Sequence, residues 1–293
     1  MLKALLKTMR PRQWTKNAFL FAALVFDEKL FHPIAFLRTL AGFGLFCLIS
    51  SAVYIFNDLL DVESDRQHPV KKNRPIASRK LPVPVAVVAG IVLVLLTLAA
   101  GALLSWQFSL TMLVYFILML AYSKWLKNIL ILDVLILAAG FVLRVHAGTT
   151  LIVVERFSPW LYVLMTLLAL YLGFGKRRAE LALLANSANE HRQVFDSYTI
   201  PLLDQFITIV SGTTIVAYSL YTFFRPAAPQ SLMLTIPFVV YAIFRYLYLV
   251  QVKQIGGEPE EILLTDRPLQ ISIFLWGLAV LAVFYLPYIA LPS

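Results

Sequence analysis

The sequence predicts an all-α polytopic membrane protein with nine transmembrane helices, its N-terminus cytoplasmic and its C-terminus outside. Three observations predict it. First, 60% of the 293 residues are hydrophobic and only 14% are charged, whereas a soluble domain is about half apolar and about a quarter charged. Second, apolar runs close to the roughly 20 residues needed to cross a bilayer recur along the whole chain. Third, lysine and arginine alternate between the gaps that separate those runs.

The runs place spans at 15–32, 35–57, 83–104, 108–124, 129–149, 159–176, 203–224, 232–252 and 269–290. Pro33, Pro82, Pro84, Pro159, Pro201 and Pro268 sit near the proposed ends, where proline starts or stops a helix. With nine spans, nineteen of the 25 basic residues fall on the side of the N-terminus and four on the other, with Arg144 and Arg245 inside spans. Cytoplasmic loops carry such an excess, so the N-terminal side is read as cytoplasmic. No segment is polar enough for a separate soluble domain, and 1–293 is expected to form one integral-membrane domain.

The net charge of +9 is accounted for by loops beside anionic lipid, and no nucleic-acid role is expected. The one cysteine, Cys47, has no partner for an internal disulfide. The basic N-terminus and the apolar run 18–26 lack a small-residue cleavage site, so this is expected to be a retained span. His32, His146 and His191 show no metal-binding spacing, and no Ser-His-Asp or Cys-His set is evident.

The polar exception is Asn57 to Pro75, with four acids and four bases in nineteen residues. On a helix at about 100° per residue, Asn57, Asp58, Asp61 and Asp65 fall near 0°, 100°, 40° and 80°. They share one face at the cytoplasmic end of the second span. Hard oxygen ligands grouped in this way suit Mg²⁺, which binds through one or two carboxylates plus substrate phosphates. His68-Pro69 then breaks the helix, and Lys71, Lys72, Arg74, Arg79 and Lys80 follow. The positive-inside rule accounts for most of these; Arg74, nearest the acids, suits bidentate phosphate contact.

Further along lie two more groups. Tyr122, Lys124, Lys127 and Asn128 precede Asp133, with Lys127 and Asp133 as candidate site residues. Asp133 and Arg144 are eleven residues apart, about 20° apart on one helix. Ionisable residues inside a membrane are functional candidates; Arg144, the deeper, is expected to be structural, with Arg245 as one candidate neighbour. After the sixth span, Lys176 and Glu180 stand at i, i+4 and can pair.

The pattern Asn57-Asp-x-x-Asp61-x-x-x-Asp65 after a second span resembles the UbiA superfamily of intramembrane prenyltransferases. The extension Asp65-Arg66-x-His68-Pro69-x-Lys71-x-x-Arg74-Pro75 resembles its decaprenyl-phosphate phosphoribosyltransferase branch. So do Arg10-Pro11-Arg12-Gln13-Trp14-Thr15-Lys16-Asn17, Gly175-Lys176-Arg177-Arg178-Ala179-Glu180, Gly257-Glu258-Pro259 and Asp266-Arg267-Pro268.

The resemblance implies a UbiA-like helical bundle and a Mg²⁺-dependent transferase at the cytoplasmic face of the cell membrane. It would move 5-phosphoribosyl from phosphoribosyl diphosphate to a polyprenyl phosphate and release diphosphate. Catalysis and metal binding fall to Asn57, Asp58, Asp61 and Asp65. Substrate contacts fall to Lys16, Arg66, Lys71, Arg74, Tyr122, Lys127, Asp133, Lys176, Arg177 and Glu180.

Most superfamily members that use a prenyl diphosphate carry a second DxxxD motif after the sixth span. This chain has Lys176, Arg177, Arg178 and Glu180 there instead. Two alternatives stay open: ordinary prenyl transfer to an aromatic or lipid acceptor, and a non-enzymatic transporter. Membrane lipids are expected neighbours, and a homo-oligomer is an open alternative to a single copy.

Overall fold

Among the described residues of the computed structural model, seven helical segments are long and apolar enough to cross a membrane. The described residues are 1–155, 157–184, 197–225, 229–255 and 259–290. The seven are Pro33–Leu60, Val83–Leu104, Trp106–Lys124, Leu132–Thr149, Ile200–Phe224, Gln230–Gln251 and Arg267–Leu286. No strand occurs among the described residues. The chain is an all-helical, multi-pass membrane protein.

Two expected spans differ from that set. Over 15–32 there is no single helix. Pro11–Leu20 forms ten residues of 3₁₀-helix and α2, Phe21–Phe26, adds six of α-helix. A polar turn at Asp27-Glu28-Lys29 then ends it, with Glu28 at φ 60° and Asp27 ion-paired to Lys29 at 3.1 Å. The sixth, α8 at Trp160–Leu184, is long enough at 25 residues, but its C-terminal turns carry Lys176, Arg177, Arg178 and Glu180.

The chain divides into two compact units. The first comprises Met1–Lys127 and Gly140–Val154. It begins with α1, Leu2–Thr8, and the Pro11–Leu20 3₁₀ run. Then come α2, α3 (Pro33–Leu60), α4 (Val62–Gln67), α5 (Val83–Leu104), α6 (Trp106–Lys124) and the later half of α7, Leu132–Thr149. Helix α3 packs against α5, α6 and the 3₁₀ run. His32 is extended ahead of Pro33, which opens α3 at its first turn, as proline's fixed φ and missing N–H favour.

Aromatic rings meet in the α3–α6 seam, with Phe46 and Tyr115 centroids 4.9 Å apart and the rings tilted at 50°. In lipid, helices associate by close packing more than by the hydrophobic effect, and Gly148 shows how tightly. A Cβ there would lie 2.1 Å from the Leu20 carbonyl oxygen, a backbone atom that cannot swing away.

Arg144 is the buried cation of this unit. Its guanidinium donates to Asn17 Oδ1 at 2.9 Å, Gly140 O at 2.8 Å and Tyr115 OH at 2.8 Å. It also lies over the Tyr115 ring at 4.7 Å. Asn17 in turn donates to Ser50 Oγ at 3.2 Å. Thus Arg144 ties the N-terminal 3₁₀ run to α3 and α6. Arg245 belongs to the other unit.

The second unit comprises Asn128–Ala139 and Glu155–Ser293. Its elements are the start of α7, then α8, α9 (Ile200–Phe224), a 3₁₀ turn at Gln230–Thr235, α10 (Ile236–Gln251), α11 (Pro259–Thr265) and α12 (Arg267–Ala290). Helix α8 packs against α9, and α10 against α12. The core includes Val134, Tyr171, Phe174, Leu203, Ile207 and Tyr246. The buried Tyr171 phenol donates to Ile243 O at 2.7 Å, which spares the core an unsatisfied hydroxyl. Thr199 caps α9 by accepting from Leu202 N–H at 3.3 Å. The expected motif residues Gly257 and Glu258, with His191 and Arg156, lie outside the described residues.

Candidate active site

Helix α3 delivers Asn57 and Asp58 in its last turn and then yields at Asp61, where φ is −92° and ψ 5°. The chain resumes at once as α4. Hydrogen bonds carry the helical ladder across the yield: Asp61 N–H to Asn57 O at 3.0 Å and Asp65 N–H to Asp61 O at 2.8 Å. The motif therefore stays on one continuous helical path, with its carboxylates in different surroundings. The side chains of Asp58 and Asp65 are 2% and 3% exposed, and that of Asp61 is 29% exposed. Asn57 is half-buried.

Each of the three carboxylates is met by a base. Arg10 Nη2 donates to Asp58 Oδ1 at 2.5 Å. Arg74 Nη1 stands between two acids, 3.2 Å from Asp58 Oδ1 and 2.7 Å from Asp65 Oδ2. Lys127 Nζ, in the 3₁₀ turn after α6, donates to Asp61 Oδ1 at 2.9 Å. Burying two carboxylates is costly unless they are paired, and the two arginines meet that need.

Local structure explains how the arginines arrive. Arg10 adopts a left-handed backbone, φ 52° and ψ 62°, a costly conformation for a residue with a Cβ. The segment around it is fastened to α3: Ser51 Oγ donates to Met9 O at 3.1 Å, and Trp14 Nε1 donates to Ser51 Oγ at 2.9 Å. The Arg10 guanidinium lies 4.8 Å over the Tyr54 ring.

Arg74 sits in a braced loop. On one side His68 Nδ1 accepts from the N–H groups of Val70 and Lys71, at 3.1 and 3.2 Å. On the other, Ile76 and Leu81 bury themselves with Met9, Ile55 and Ala86.

The remaining candidates of this unit are less central. Arg66 pairs with exposed Glu63 at 2.7 Å, on the outer side of α4. Lys16, Lys71 and Tyr122 are half-buried.

The second unit holds its own polar cluster. Asp133, fully buried at the start of α7, accepts from Arg177 Nε at 2.6 Å and from Tyr198 OH at 2.9 Å. Arg177, also buried, reaches Glu180 Oε2 at 2.5 Å. Tyr198 OH accepts the N–H of Ile131 at 2.9 Å. Ile131 is itself left-handed at φ 67°, so the turn into α7 is braced by a phenol. Burial pushes the Tyr198 phenol well above its usual range, and the charge of Asp133 pushes it further; it acts here as a neutral donor.

Arg178 binds Asp204 at 2.6 Å and Val250 O at 3.1 Å, joining α8, α9 and α10. Lys176 is the accessible member of the run, its side chain 36% exposed and 4.0 Å from Glu180. The sequence singled out Asp133 and Arg177 separately; in the structure they are partners, 44 residues apart. It passed over Asp204 and Tyr198 altogether, because neither sits in a motif.

The fit of Mg²⁺ can be judged from the donors. Among the described residues no three His, Cys, Asp or Glu side chains are grouped closely enough to hold an ion by themselves. Yet Asp58 and Asp65 already share one cationic nitrogen, and Asp61 is exposed enough to reach a ligand. Mg²⁺ needs only one or two carboxylates when phosphate oxygens supply the rest. The donor set fits a metal that arrives with its substrate, not a protein-only cage.

Comparisons with known proteins agree with this architecture. Over 292 residues the chain is 34% identical to a protein named decaprenyl-phosphate phosphoribosyltransferase from Mycolicibacterium smegmatis, covering 94% of this chain and 91% of that one. Proteins of the same name from Corynebacterium glutamicum and Mycobacterium tuberculosis are 31% identical over 293 residues and 34% over 277. They cover 97% and 92% of this chain, and 87% and 90% of their own lengths.

Among solved structures, a UbiA homologue from Archaeoglobus fulgidus bound to DMAPP and Mg²⁺ aligns with TM-score 0.70 at 21% identity, over 96% of this chain and 98% of that one. A digeranylgeranylglyceryl phosphate synthase aligns with TM-score 0.66 at 15% identity, over 97% and 98%. The signature of the UbiA prenyltransferase family matches residues 18–176, and with these relatives it shows that the chain belongs to the UbiA prenyltransferase family.

Proposed function

We propose that this protein transfers the 5-phosphoribosyl group of phosphoribosyl diphosphate to a polyprenyl phosphate of the decaprenyl type, with Mg²⁺, and releases diphosphate. The observation that carries the reading is the likeness, over nearly its whole length, to three proteins named for that transfer. The first unit's geometry supports it: acids that suit a metal stand beside three bases that suit phosphate.

Asp61 and Asp65, with Asn57 and Asp58 assisting, hold the metal in this reading. Bound magnesium supplies charge neutralisation for the leaving diphosphate. Arg74 and Lys127 exchange their carboxylate partners for phosphate oxygens as the donor enters. Arg10 keeps Asp58 and the end of α3 in place. The acceptor phosphate is already largely anionic at neutral pH, its second pKa being about 6 by analogy with phosphorylated side chains. No strong general base is then required. Positioning and fixed charge supply the acceleration.

Lys176 is the proposed phosphate contact of the second unit, with Asp133, Arg177 and Glu180 fixing it. Lys16, Arg66, Lys71 and Tyr122 complete the proposed substrate contacts.

The chain crosses the membrane nine times in this proposal, counting α8 and a shortened first crossing over the Pro11–Phe26 segment. The nineteen-to-four division of basic residues supports an N-terminus and active site on the cytoplasmic side of the cell membrane. Calorimetric titration of phosphoribosyl diphosphate tests the site. Binding should require Mg²⁺ and vanish in Asp61→Asn; equal affinity with EDTA present contradicts the metal assignment.

A further inference from the structure

The loop that delivers Arg74 to the acids has a second face. Asn73 and Pro75, the residues on either side of Arg74, line a cleft of about 320 Å³ with Lys3, Ala4, Lys7 and Lys80. Three lysines from two separate segments converge there. Arg10, Arg66, Arg74 and Lys127 all meet a carboxylate, whereas among the described residues the ammonium groups of Lys3, Lys7 and Lys80 make no ion pair or hydrogen bond. The positive-inside rule explains lysines on this side of the chain. It does not explain why three of them line one concavity with no acid among its described lining residues. Like charges brought together repel unless an anion lies between them.

Helix α1 indicates where that anion comes from. Its Ala4 and Leu5 pack on the cluster of Met9, Ile55, Ile76 and Leu81. Its Leu2 and Leu6 point away from the protein, 72% and 45% exposed. A short helix with outward leucines and lysines at the end of a membrane bundle lies in the headgroup layer, leucines among acyl chains and lysines at phosphate level.

We propose that this cleft seats the phosphodiester of an anionic phospholipid, with Lys3, Lys7 and Lys80 on its phosphate and Leu2 and Leu6 beside its chains. The lipid then anchors α1, and through Met9 the strained turn that hands Arg10 to Asp58.

Native mass spectrometry tests this on the full chain, released from nanodiscs of mixed phosphatidylcholine and phosphatidylglycerol. Wild type should retain phosphatidylglycerol. The triple variant Lys3→Gln/Lys7→Gln/Lys80→Gln should bind it about a hundredfold more weakly, from the usual contribution of a near-surface lysine. The charge-matched control Lys72→Gln/Arg79→Gln/Lys253→Gln should retain it.

Equal loss in both variants overturns the proposal in favour of diffuse attraction. Displacement of the lipid by inorganic phosphate overturns it in favour of a free-anion site. Preferential retention of polyprenyl phosphate over phosphatidylglycerol overturns it in favour of an acceptor subsite.

Discussion

Asp58, Asp61 and Asp65 look interchangeable in the sequence, and the structure separates them. Asp61 is the exposed one, and its bond to Lys127 joins two partly exposed side chains; such pairs are worth about 0–1 kcal/mol. Asp61→Asn should therefore leave the melting temperature nearly unchanged while lowering turnover more than about a hundredfold, the cost of losing one well-placed electrostatic contact to the transition state. Near-normal turnover removes the metal assignment.

Asp133 and Arg177 are the opposite case, a pair with side chains 0% and 3% exposed. Breaking a buried pair strands a charge and costs about 3–5 kcal/mol. Arg177→Met should fall by that amount in a denaturant titration, and the double variant Asp133→Leu/Arg177→Met should recover part of it. If the single variant is as stable as wild type but inactive, Arg177 is a ligand and not a brace.

The acidic motif was legible because a helix period groups residues close in sequence. Arg74, nine residues from Asp65, was legible beside it; that Arg10 and Lys127 meet it was not. Arg10 lies 48 residues from Asp58, and Lys127 lies 66 from Asp61; only tertiary packing brings them together.

At the scale of elements, the helices long in apolar residues were legible and the exceptions were those with polar content. The Pro11–Phe26 segment reads as a span by composition, but its first ten residues wind as 3₁₀-helix and the polar turn at Asp27 cuts it short. Helix α8 extends past the expected end at residue 176 because Arg177 and Arg178 find acids on α7 and α9.

A similar link starts α12. Asp266 accepts from Arg245 Nη2 on α10 at 2.7 Å and from Leu269 N–H at 2.9 Å. Chiefly through the Arg245 hydrogen bond, its carboxyl is held below the usual range. Its folded pKa is thus lower than its unfolded value of about 3.9. The link contributes stability above that unfolded value and loses it as pH falls through the folded one. In thermal melts between pH 7 and pH 3, wild type should lose melting temperature towards the acid end, and Asp266→Asn should lose less. Parallel curves for the two proteins contradict this account of the α10–α12 link.

For the molecule as a whole, sidedness rests on the distribution of charge. Lys72 and Ser105 lie beyond opposite ends of α5. In a Cys47→Ser background, a cysteine at 72 should react with an impermeant maleimide only in inverted vesicles, and a cysteine at 105 only in right-side-out ones. Reaction of both in one orientation contradicts the proposed topology.

Composition and hydrophobic patterning carried the membrane class. The acidic motif and basic extensions carried the family, since each places chemistry in a short stretch. The division into two compact units was not legible, because it cuts through α7, a continuous helix with no break in its pattern.

The central claim is phosphoribosyl transfer to a lipid phosphate, and one assay addresses it directly. Purified protein is incubated with Mg²⁺, ribose-labelled phosphoribosyl diphosphate and a polyprenyl phosphate, and the organic phase is counted. The account predicts label in the lipid with Mg²⁺ and none with EDTA. An unlabelled lipid phase, alongside turnover of a prenyl diphosphate with an aromatic acceptor, contradicts it.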